Sequence, residues 1–61
     1  PDDGFHIVDF LEQIEQQLIL QACRESRTIA DASIRLGYNN YQTLSKRMEK
    51  YGIAKNKHFN R

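Results

Sequence analysis

The sequence has little of what cross-links, spans or activates a protein. A single cysteine, Cys23, stands among 61 residues, so no internal disulfide forms. No apolar run approaches the roughly 20 residues of a membrane span. The start, Pro1-Asp2-Asp3-Gly4, is acidic where a secretory leader is basic, so no signal peptide is expected. Cys23 and two distant histidines, His6 and His58, offer no metal-ligand spacing, and neither a metal nor a cofactor is expected. No carboxylate pair frames those groups, so the chain is not read as an enzyme. The Asp2-Asp3 pair is a leader feature rather than a calcium loop. A Gly-rich phosphate loop is missing too, which argues against nucleotide binding. The absence of an initiator methionine is read as the mark of a piece from something longer.

What remains is one small domain with a divided charge. A chain of this length buries only about 60% of its unfolded surface, so a lone copy is marginal. The net charge of +1 hides two halves. Up to Glu25, six acids (Asp2, Asp3, Asp9, Glu12, Glu15, Glu25) face one base, Arg24, for a net −5. From Ser26 on, eight bases (Arg27, Arg35, Lys46, Arg47, Lys50, Lys55, Lys57, Arg61) face Asp31 and Glu49, for +6. Such asymmetry points to an anionic partner for the basic half, although two solvated surfaces would look the same.

The pattern predicts an all-α chain, a three-helix bundle with helices at about 7–24, 29–36 and 40–51. The first stretch has no Pro or Gly and is rich in Leu, Gln and Glu. Leu11, Ile14, Leu18 and Ala22 recur at helical spacing, and Ile7, Phe10, Ile19 and Leu20 widen that stripe. So wide a stripe either packs on both other helices or serves a dimer. Two short helices offer little cover, which favours a dimer interface of Ile7, Phe10, Leu11, Ile14 and Leu18. Thr28, with Asp31 three residues on, fits a capping box for the second helix. Ile29, Ala32, Ser33 and Leu36 make its inner face, and Gly37 ends it. Asn39 or Asn40 caps the third helix, Leu44, Met48 and Tyr51 point inward, and Gly52 stops it. Residues 1–6 read as a leader or linker end, 7–53 as the domain, and 54–61 as a basic flexible tail.

Two short helices joined by a Gly-containing turn describe a helix-turn-helix. Ala32 and Ser33 are small enough for a close crossing, Gly37 tolerates positive φ, and Leu44 and Met48 anchor the second helix. Opposite Leu44 lie Gln42, Thr43, Lys46, Glu49 and Lys50. Such a face suits the DNA major groove, where Asn and Gln read adenine and Lys reaches guanine or phosphate. Asn40, Tyr41, Gln42, Thr43 and Lys46 are therefore the candidate base contacts. Thr28, Asn39, Arg47, Lys50, Lys55 and Lys57 are the candidate phosphate contacts. The competing reading gives Lys46 and Lys50 to solvent and Tyr41 to partial packing.

The strings Ala32-Ser33-Ile34-Arg35-Leu36-Gly37 and Thr43-Leu44-Ser45-Lys46-Arg47-Met48-Glu49-Lys50-Tyr51-Gly52-Ile53 resemble the Fis-type helix-turn-helix. The run Leu11-Glu12-Gln13-Ile14-Glu15-Gln16-Gln17-Leu18-Ile19-Leu20-Gln21-Ala22 is similar to the first helix of that family, and the likeness covers about Val8 to Ile53. Two departures are Ser33, where the family has a second Ala, and a stretch from Gly37 to Leu44 that is one residue longer. The module occurs in the nucleoid protein Fis and closes bacterial enhancer-binding proteins of the NtrC class. The resemblance thus implies a homodimer through the first helix on palindromic double-stranded DNA, in the bacterial cytoplasm and nucleoid. In a sigma-54-dependent activator it further implies RNA polymerase with sigma-54 as a partner of the parent protein, and no membrane. A Fis-like architectural protein is the alternative within that class. A helical dimerisation or protein-docking module is the alternative outside it.

Overall fold

A computed structural model describes residues 6–60. The expected leader apart from His6, and Arg61 at the other end, lie outside the described residues. The described residues form three helices and no strand: α1 (Ile7–Arg24), α2 (Ile29–Leu36) and α3 (Tyr41–Tyr51). No helix among them is long and apolar enough to cross a membrane.

Each short helix is bounded by the chemistry of its ends. The Thr28 side chain accepts from the Asp31 N–H at 3.1 Å and opens α2. Only this half of the expected capping box forms, because Asp31 turns to Arg35 at 3.7 Å. Asn40, rather than Asn39, caps α3 and accepts from the Thr43 N–H at 2.9 Å. The third helix therefore begins at Tyr41, one residue after the expected start, since Asn40 keeps an extended backbone. Gly37 (φ 85°) and Gly52 (φ 69°) end α2 and α3 in the left-handed region. At each stop two crossed bonds close the helix: Tyr38 N–H to Ser33 O at 3.0 Å with Gly37 N–H to Ile34 O at 3.1 Å, and Ile53 N–H to Met48 O at 2.8 Å with Gly52 N–H to Glu49 O at 3.1 Å. Both stops turn the next side chain, Tyr38 or Ile53, back against the core.

The core is small. Ile19, Ala22 and Cys23 of α1, Ala32 of α2, and Leu44 and Met48 of α3 are buried together. Ser33 is buried as well, and its hydroxyl donates to the Ala30 carbonyl at 2.7 Å. Burial pushes the Cys23 thiol up. On α1 the structure divides the apolar stripe. Ile19, Ala22 and Cys23 pack inward, whereas Leu11, Ile14 and Leu18 are exposed, as are Ile7 and Phe10. Ile34, which fits no inner face in the sequence, is exposed on α2. At the far end, Phe59 packs on the core and the Asn60 N–H donates to the Ser26 carbonyl at 2.8 Å. The chain after Ile53, expected to be loose, thus meets the core through Phe59 and the α1–α2 turn through Asn60.

Candidate nucleic-acid interface

The two faces of α3 are sharply different. Leu44 and Met48 are fully buried, while Tyr41, Gln42, Thr43, Lys46, Glu49 and Lys50 are exposed. Four residues, Gly37 to Asn40, separate α2 from α3. The Asn40 carboxamide oxygen holds both the Thr43 N–H and, at 3.2 Å, the Thr43 hydroxyl. Asn40 and Thr43 therefore form the opening turn of α3, and the Asn40 amide nitrogen keeps its own donors. Thr28 is likewise occupied as a cap at the start of α2.

The cations fall into two groups. Arg47 turns to α1 and grips Glu15 with two bonds, Nε to Oε2 at 2.7 Å and a terminal nitrogen to Oε1 at 2.5 Å. Lys50 meets Glu12 of α1 at 2.7 Å, Lys55 pairs with Glu49, and Arg35 lies 3.9 Å from Glu25. Arg24, Arg27, Lys46 and Lys57 are exposed and make no ion pair among the described residues. Three of the expected phosphate contacts, Arg47, Lys50 and Lys55, thus have acidic partners within the chain. Part of the acidic and basic asymmetry of the sequence is spent between α1 and α3.

Glu15 is the hub of this contact. Its carboxylate accepts from Arg47, from the Tyr51 hydroxyl and, at 3.3 Å, from the Tyr38 hydroxyl. The Arg47 hydrogen bonds carry its pKa from the ordinary 4.5 down to about 2, against partial burial and with help from Tyr51. The same carboxylate pushes the Tyr51 phenol up by accepting its hydrogen bond. Burial first, and Glu15 second, push up Tyr38. Arg47 and Lys50 also lie over the Tyr51 ring, 5.8 and 5.6 Å from its centre. Sequence reasoning missed Glu12 and Glu15 as partners of α3, because separations of 32 to 38 residues carry no periodic signal. It also passed over Arg27, an exposed cation next to the Thr28 cap.

A second surface lies on α1, where Phe10, Ile14 and Leu18 line a shallow groove with Gln13, Gln16 and Gln17. Among the described residues no group of three or more His, Cys, Asp or Glu is placed to hold a metal ion.

The chain matches the family model described as bacterial regulatory protein, Fis family, over residues 10–51. No curated protein and no solved structure gives a significant match. The matched span runs from the exposed apolar part of α1 to the last residue of α3 and covers well over half of the 61 residues. The chain belongs to the Fis family of bacterial regulatory proteins, and its helix-turn-helix is a DNA-binding domain.

Proposed function

We propose that this domain reads a specific duplex site for a bacterial transcription regulator, with α3 in the major groove. The division of α3 carries this reading: Leu44 and Met48 anchor one side, and a polar, exposed side bears Gln42 and Lys46. Tyr41, Gln42 and Lys46 meet base edges, joined by the Asn40 amide and the Thr43 methyl group. Thr28, Asn39 and Lys57 lie along phosphates, with Arg27 added to them. Lys50 and Lys55 contribute from their paired positions. Ile7, Phe10, Leu11, Ile14 and Leu18 form the contact with a second copy, so that the site read is palindromic. The parent is a sigma-54-dependent activator of the NtrC class, acting on RNA polymerase in the cytoplasm. That part of the reading expects an ATPase segment with a Gly-rich phosphate loop in the same polypeptide.

Selection from a random duplex pool, followed by titration at several salt concentrations, tests DNA reading. About four phosphates neutralised per subunit give a slope near −4 in log K against log salt, since each contributes about −0.9. Lys46→Ala is expected to weaken the selected duplex more than a random one. A flat salt response, or unchanged affinity in Lys46→Ala, overturns the proposal.

A further inference from the structure

Glu15 of α1 bonds to both the turn and the second helix of the helix-turn-helix. The backbones of α1 and α3 meet along a shorter edge than either shares with α2. Across that edge the Glu15 carboxylate gathers three groups from three stations of the helix-turn-helix. Tyr38 stands in the turn that leads into α3, Arg47 in the middle of α3, and Tyr51 at its last residue. The side chain is mostly covered, at 24% exposure, and Lys50–Glu12 lies one turn further along α1. The polar side of α3, with Gln42 and Lys46, is the exposed one.

We infer that Glu15 is a positioning residue for DNA reading, fixing the angle of α3 through Arg47, and that Arg47 is withheld from phosphate. The inference rests on the DNA-reading role proposed above. It predicts an inverted sign. An acid near bound DNA repels phosphate, so its removal ordinarily raises affinity. Here the neutral isostere releases the reading helix, and affinity falls. The guanidinium fork matters more than its charge, because two parallel bonds fix a plane that an ammonium does not.

The experiment uses the whole chain and a duplex selected with the wild type, at a temperature where circular dichroism shows native helicity in every variant. Glu15→Gln is expected to lose about tenfold in affinity for that duplex, a loss passed through a packed contact. Its affinity for random duplex and its salt slope stay near the wild type, because no phosphate contact is removed. Arg47→Lys, which keeps the charge, is expected to lose affinity as Glu15→Gln does. Higher affinity in Glu15→Gln with a slope steeper by about 0.9 overturns the inference, since it shows Arg47 freed to a phosphate. Wild-type affinity in Arg47→Lys overturns it as well. A wild-type chain that ignores duplex DNA removes the proposed function instead. The clamp is then read without DNA from the Tyr38 and Tyr51 ring resonances during a base titration. Both phenols are expected to titrate at lower pH in Glu15→Gln, and unmoved phenols overturn the clamp.

Discussion

The two ends of α1 are built from the same residue types and end in opposite surroundings. Leu18 is 50% exposed and its neighbour Ile19 only 1%. From Ile7 to Leu18 the large apolar side chains stand in solvent, and from Ile19 onward they enter the core. Length explains the change. An 18-residue helix runs about 27 Å, whereas α2 and α3, with 8 and 11 residues, run about 12 and 16 Å. Among the described residues the two short helices cover the C-terminal end of the long one, meet its other half at Glu12 and Glu15, and leave the large apolar side chains of that half exposed. An apolar stripe therefore says that a face will be covered, and the lengths of its neighbours say where the chain itself does the covering.

Adjacent substitutions test that division with the largest expected effect. Ile19→Ala is expected to cost about 2–5 kcal/mol, because it opens a cavity in the buried cluster. A domain this small holds only roughly 0.05–0.15 kcal/mol per residue, so thermal melting of Ile19→Ala should begin near room temperature. Leu18→Ala should keep the melting curve of the dilute chain within about 0.5 kcal/mol. Its effect belongs to sedimentation, where the variant shifts toward monomer, and to DNA affinity, which falls with the dimer. Equal destabilisation of the dilute chain by both variants breaks the comparison.

A smaller effect separates the core from the polar seam. Glu15 titrates near 2 in the folded chain and near its ordinary 4.5 when unfolded. A depressed carboxylate contributes stability that is complete above the unfolded value and lost as pH falls through the folded one. Melting temperature should therefore drop between about pH 4.5 and 2, and Glu15→Gln should flatten that limb. The groups facing the carboxylate, Arg47, Tyr51 and Tyr38, keep their charge states across this range, so its share of the limb is its own, and Glu49, held low by its bond from Lys55, adds a separate share that Glu15→Gln leaves in place. An acid limb unchanged in Glu15→Gln disproves the assignment.

The smallest effect lies in the caps. Thr28→Ala and Asn40→Ala each lose one bond to a helix N-terminus and should cost about 1 kcal/mol in urea denaturation. The costs should be similar, but only Asn40→Ala should also alter which duplex is preferred, since its amide stands at the end of α3 proposed to meet the bases. Identical duplex preference in both variants would detach Asn40 from reading.

The helices were legible because their signals are local. Gly37 and Gly52 permit a positive φ, Thr28 and Asn40 cap, and Leu44 and Met48 recur at a spacing of one turn. The inner face of α1 was less legible. Leu11, Ile14, Leu18 and Ala22 obey helical spacing as well as Ile19, Ala22 and Cys23 do, and only the packing of α2 and α3 selects the second set. At the candidate interface, the polar side of α3 followed from the position of its anchors. The partners of its cations did not, because Glu12 and Glu15 meet Lys50 and Arg47 through tertiary packing alone. Charge counting therefore did not show which cations already have acidic partners within the chain.

The two glycine stops also set a limit on information. They and the Asn40 cap confine α3 to 11 residues, or about 16 Å. At about 3.4 Å per base step, such a rod lies beside roughly five base pairs. Any given run of five recurs about once per thousand in random sequence, while a genome offers roughly a million competing sites or more. A solitary α3 cannot name an address. In the proposed dimer, two of them held at a fixed spacing across the exposed apolar face of α1 would multiply their odds and reach the rarity that a single address needs.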